Sequence, residues 1–160
     1  MITTTLNKIR EHQPCTNGWK KLLAHLGKTE ADDEPLPFST ILESNGLDDA
    51  LWCCRSAPEY DKEWRLFAVW CARQVRHLMK DSRSLNALDV AERFANGLAT
   101  EDELKAAGDA ARAAGDAAGA AAWAAAWAAG DAAGAAARTA ARYAAQEKQS
   151  QEFLRIVEGK

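Results

Sequence analysis

Chemistry-bearing motifs are scarce in this 160-residue chain, and each absence removes a class of function. No HExxH, GxSxG or phosphate-binding glycine loop occurs, and the three histidines, His12, His25 and His77, fall in separate predicted elements. That is not the pattern of an enzyme, and none is expected here. The four cysteines, Cys15, Cys53, Cys54 and Cys71, show no CxxC spacing, and neighbours such as Cys53 and Cys54 rarely bridge each other. They read as reduced, buried, small hydrophobes of a cytoplasmic protein. The sharper alternative, a structural zinc site drawing on some of them with the histidines, lacks the paired spacing such sites use, so neither metal nor cofactor is expected.

Excess positive charge is also missing. The net charge is −3, and residues 1–99 (13 basic, 14 acidic) and 100–160 (7 basic, 9 acidic) are each slightly negative. Binding nucleic acid through its phosphates needs a concentrated basic face, so a nucleic-acid partner is not expected. Long apolar runs are missing as well. The longest uncharged stretch, the 14 residues between Asp116 and Asp131, is mostly alanine and glycine. It is shorter and less apolar than the roughly 20 residues a membrane span needs, and the first ten residues lack the apolar core of a secretory signal. A soluble protein without a membrane partner is expected.

What the chain does hold is alanine, 25 of the 40 residues from Ala106 to Ala145. Ala-Ala-Gly-Asp-Ala-Ala-Gly-Ala-Ala-Ala occurs at 113–122 and again, unchanged, at 128–137. Alanine is the best helix former but offers a core only a methyl group, so this region is strongly helical and weakly self-burying. Thr100 with Glu103 makes a capping box at its start, with Glu101 and Asp102 adding negative charge at the positive end of the helix dipole. One long helix or a helical hairpin is expected over about 101–157. The Gly-Asp pairs at 108–109, 115–116 and 130–131 suit a stop and restart, and glycines four apart suit close backbone approach. Phe153, Leu154, Ile156 and Val157 form an apolar patch expected to dock on the N-terminal helices.

The remaining signals are helical too. Leu6 and Ile9 mark a first helix stopped by Pro14. Thr16 is a candidate cap for a second, with Trp19, Leu22, Leu23 and Leu26 on one face and Gly27 as its stop. The acidic, proline-punctuated residues 28–38 read as an exposed loop. Short helices are expected from Ser39 or Thr40 to Asn45-Gly46 and over Leu47, Leu51 and Cys54. Asp61 is expected to cap a central helix, 61–79, apolar nearly all round its middle. Asp81 starts another that stops at Asn96-Gly97. The expected fold is therefore all-α: a single domain, 1–160, with an N-terminal helical bundle (1–99) around helix 61–79 and an alanine-rich arm (100–160) packed on it.

The stretches Leu51-Trp52-Cys53, Arg65 to Val75, Asp81 to Leu85 and Ala91 to Gly97, followed by an alanine- and tryptophan-rich helix, resemble the immunity proteins of bacterial and phage polymorphic toxin systems. Glycine here often takes the places of the family's Arg, Asp and Trp in the alanine helix, and Ser84 stands where a proline is usual. The resemblance implies an all-helical cytoplasmic protein that neutralises another macromolecule, a toxin or a defence component, by binding it.

Trp123 and Trp127 lie side by side on a helix too small-sided to enclose them, and tryptophan and arginine dominate interface energetics. Partner binding is therefore assigned to Trp123, Trp127, Arg138, Arg142 and Arg112. Arg73, Arg76, Asp81 and Arg83 form a secondary candidate surface. The plainer alternative has the tryptophans filling a groove against the N-terminal helices and the arginines simply solvated. Two other functions fit the same residues. One is capture of a small ligand such as a nucleotide between Trp and Arg. The other is a coiled-coil-like homodimer through the alanine face.

Overall fold

A computed structural model of the chain describes residues 1–74, 76–78, 81–110 and 132–159, with backbone alone at 78 and over 132–143. The architecture is mostly helical, as the composition implies. β1 (Thr3–Thr4), α1 (Leu6–Glu11), α2 (Thr16–Leu26), β2 (Leu36–Pro37), α3 (Phe38–Asn45) and α4 (Leu47–Cys53) follow one another. Next come 3-10 turns at Cys54–Ser56 and Pro58–Tyr60, then α5 (Asp61–Gln74), a third 3-10 turn (Arg76–Leu78) and α6 (Ser82–Ala95). A helix over 101–110 (α7) and α8 (Ala132–Glu158) complete the described elements. The chain divides into two compact units, Met1–Asp61 with Ala145–Lys160, and Lys62–Ala144.

In the first unit, helix ends are set by local chemistry. Thr5 caps α1 by accepting from the Lys8 N–H at 3.2 Å. α2 is capped not by Thr16 but by the residue before it: Cys15 Sγ accepts from the Gly18 N–H at 3.4 Å, and Thr16 is already helical. Gly27 ends α2 in the left-handed conformation (φ 64°), returning its N–H to the Ala24 and Leu23 carbonyls. Between α3 and α4 a single residue turns the chain. Gly46 has φ 92° and ψ 177°, a region closed to side chains with a Cβ.

Residues 28–38 are only partly the exposed loop that their composition suggests. Lys28 Nζ sits 2.5 Å from both Asp32 and Glu34 carboxylate oxygens, which accounts for the acidic portion. Leu36 and Phe38, however, are buried. β2 pairs antiparallel with β1, Thr4 opposite Leu36 and Thr3 opposite Pro37, and this drives Leu36 inward. Apolar residues between two prolines are too few to show a period, so the burial left no pattern to read.

The largest fully buried side chains among the described residues are Phe38, Phe153, Leu6, Ile9, Ile41, Val157 and Thr4, all in this first unit. Phe153 meets Phe38 edge to face, with ring centroids 6.2 Å apart at 65°. Backbone bonds reinforce the junction: Ile2 N–H donates to the Val157 carbonyl at 2.6 Å, and Phe38 N–H donates to the Ile2 carbonyl at 3.3 Å. The deepest burial therefore lies around α1, α3 and the end of α8, and not around helix 61–79 as the apolar count suggests. α5 buries Phe67 and Val69.

α5 itself ends at Gln74 and gives way to 3-10 geometry, short of the expected 79. No glycine or proline marks that change, and i, i+3 apolar spacing is shared by both helix types. At its start, Pro58 begins winding early, and Asp61 is already helical (φ −55°, ψ −34°). In the same unit Asp81 caps α6, accepting from the Arg83 N–H at 2.8 Å. The Thr100–Glu103 capping box is present in both directions. Thr100 N–H donates to Glu103 Oε2 at 2.7 Å, and Glu103 N–H donates to Thr100 Oγ1 at 3.2 Å.

Candidate functional site

Trp123, Trp127 and Arg112 lie outside the described residues. So does the choice between one long helix and a hairpin. Arg138 and Arg142 fall in the part of α8 described by its backbone.

The secondary residues are all described, and three of the four are held in ion pairs. Arg73 Nη2 donates to Asp89 Oδ1 at 3.1 Å and to Glu92 Oε2, joining α5 to α6, while its Nε is buried with no hydrogen-bond partner among the described residues. Arg83 grips Asp81 with two side-chain bonds, Nε to Oδ1 at 3.0 Å and Nη2 to Oδ2 at 2.7 Å. These bonds and the cap hold the Asp81 carboxyl down at about 2. Arg76 is exposed on its 3-10 turn. Among the four, the hydrogen bonds join Asp81 with Arg83. As placed, Arg73, Asp81 and Arg83 tie helices together and cap them.

A site that the sequence did not signal lies in the first unit. A partly open cavity of about 100 Å³ lies between α2, α3 and α4, with Ile9, Leu22 and Ile41 among its apolar walls and Trp19 and Trp52 beside them. Pro14, Cys15 and Gly18 line it from the start of α2, and Cys15 is exposed. Asn45 and Asp49 supply polar atoms from the end of α3 and the start of α4.

That polar edge is a built network. Asn45 Nδ2 donates to the Gly18 carbonyl at 2.9 Å and to Asp49 Oδ2 at 2.7 Å, and Asn45 Oδ1 accepts from Ser44 Oγ at 2.6 Å. Gly18 makes the approach feasible. A Cβ there would stand 2.8 Å from Asp49 Oδ2 and 3.2 Å from Cys15 Sγ. A glycine in the first turn of a helix is the one sequence feature from which such a contact could have been read, since it forgoes helix propensity of about 1 kcal/mol relative to alanine.

The thiols behind the cavity are chemically quiet. Burial raises both Cys53 and Cys54 to about 12, with the Asp49 carboxylate adding to the effect at Cys53 and the neighbouring Cys53 adding to it at Cys54. Each therefore stays protonated. Among the described residues no group of three or more His, Cys, Asp or Glu side chains is gathered to hold a metal ion, and no helix is long and apolar enough to cross a membrane.

Beside the cavity, the α4 end carries a preorganised pair. The Arg55 guanidinium carbon stands 4.3 Å from the Trp52 ring centroid, and Arg55 Nε donates to the Trp52 carbonyl at 2.8 Å. Arg55 is exposed, and so is Leu51, at 36%. Comparison of the chain with protein-family models, curated proteins and solved structures finds no match in any of the three.

Proposed function

We propose that this is a non-enzymatic helical protein that neutralises a partner protein by stoichiometric binding, in the manner of an immunity protein or a phage-encoded inhibitor of a defence component. The observation that carries the reading is the Arg55–Trp52 pair with the exposed Leu51 beside it. Association costs the side-chain freedom of every long residue it immobilises, and Arg55 is already held by one ring and one carbonyl before a partner arrives. Tryptophan and arginine are also the residue types most often found to dominate binding energy. The stretch Leu51-Trp52-Cys53 belongs to the resemblance set out above.

Cross-linking through the single exposed thiol among the four cysteines, Cys15, in an extract of the source cell, followed by mass spectrometry, identifies the partner. Calorimetry then measures its affinity. A stoichiometry near one and a loss of at least about tenfold in affinity for Arg55→Ala, with an unchanged melting temperature, are expected. Substrate turnover by the purified chain, or equal affinity of wild type and variant, overturns the proposal.

A further inference from the structure

The cavity between α2, α3 and α4 holds more chemistry than an interface pair needs, and its polar atoms are of one kind. Both Asn45 N–H groups are spent, on the Gly18 carbonyl and on Asp49 Oδ2. The Gly18 N–H is spent on Cys15 Sγ. No lysine or arginine lines the space. Apart from the edges of the two indoles, what remains is acceptor capacity: Asp49 Oδ1, which makes no hydrogen bond to a described residue, and the second lone pair of Asn45 Oδ1. An anionic group would meet a carboxylate and find no cation on the cavity wall, the nearby Arg55 being engaged with the Trp52 ring and carbonyl. A neutral apolar group would fill the walls but gain nothing from the half-exposed Asp49 carboxylate. A positively charged donor answers both, because an indole such as that of Trp19 also attracts cations.

We propose that this cavity is a binding site for a small organic ammonium ion carrying a single ring or a short branched alkyl group. The apolar part lies among Trp19, Trp52, Leu22 and Ile41, and the ammonium donates to Asp49. Size supports the choice. About 100 Å³, against the roughly 150 Å³ of a closed cavity that accepts benzene, limits the occupant to at most one ring, held partly at the open rim. Asn45 acts as a positioning residue, holding Oδ2 so that Oδ1 is left for the ligand. The site stands independently of the protein-partner reading.

The test uses the full chain and three probes of matched shape: benzylammonium, benzyl alcohol and benzoate. Ligand-observed NMR titration reads their affinities, and peptide mass spectrometry reads protection of Cys15 at the cavity rim from iodoacetamide. Benzylammonium is expected to bind at least about tenfold more tightly than benzyl alcohol, benzoate not to bind, and the amine to slow Cys15 alkylation. In Asp49→Asn the amine is expected to fall to the affinity of the alcohol, with the alcohol unchanged. Should that variant fail to fold, the three probes on the unaltered chain decide the matter. Equal affinity of amine and alcohol, absence of binding by all three, or binding that leaves Cys15 as reactive as before each overturns the proposal.

Discussion

Thr4 donates a hydrogen bond of 2.8 Å to Ser56 Oγ, joining two buried hydroxyls 52 residues apart. The direction follows from the next link, because Ser56 Oγ spends its own proton on the Cys53 carbonyl at 2.7 Å. Removing Ser56 therefore strands more than removing Thr4. Ser56→Ala leaves the Thr4 hydroxyl with only a 3.4 Å approach to the Ser56 carbonyl, and a loss of about 1–3 kcal/mol in unfolding free energy is expected. Thr4→Val leaves Ser56 bonded to Cys53 and is expected to lose about 0.5–1.5 kcal/mol. Urea unfolding of both variants, and of the double variant, whose loss should be less than the sum, checks the order.

Phe153 is fully buried against Phe38, and its replacement opens a cavity in the unit formed by residues 1–61 and 145–160. Phe153→Ala is expected to lose about 3–5 kcal/mol, and Leu154→Ala, half-buried one residue on, clearly less. Chemical denaturation followed by tryptophan fluorescence, which senses Trp19 and Trp52 in that unit, measures both.

The thiols separate by environment. At pH 8 iodoacetamide is expected to modify Cys15 in the native protein and to spare Cys53 and Cys54, whose ionisation is pushed to about 12. In denaturant all are expected to react. Mass spectrometry of the two digests gives the comparison, and rapid native alkylation at Cys53 would contradict the packing of α4.

Asp81 makes the sign of one pH effect definite. Its carboxyl is held below the ordinary 3.8, at about 2, so its contribution to folding is present above 3.8 and lost as pH falls toward 2. An NMR titration of its side-chain carboxyl is expected to show a midpoint near 2, moving up in Arg83→Ala. Fraying at the start of α6 should follow the same curve.

Gly18→Ala sets two effects against each other. Alanine gains helix propensity of about 1 kcal/mol, but its Cβ would displace Asp49 Oδ2, at 2.8 Å, from Asn45. Little change in melting temperature is expected, with marked chemical-shift changes at the Asn45 side-chain amide in NMR spectra.

Local chemistry was the part of this fold legible in the sequence. The Thr100–Glu103 box, the Asp81 cap and the glycine stops at 27, 46 and 97 depend on residues within four positions of each other, and each occurs. Leu36 and Phe38 were misread because their burial depends on pairing with residues 3 and 4, more than thirty positions away. The cavity was hidden for the same reason. Trp19 showed itself as an apolar face of α2, and Asn45 and Asp49 are four positions apart, but nothing in the sequence near them announces Gly18, 27 positions from Asn45, as their neighbour in space. Cys15 took the capping role from Thr16 because its sulfur reaches Gly18, a choice that side-chain preference alone does not make.

The strap between Ile2 and Val157 has a consequence for how the molecule comes into being. The first sixty residues leave the ribosome before Phe153 and Val157 exist, so their core stays open on one side until those residues have been made. A chain that stops before Phe153 would never close what it began first.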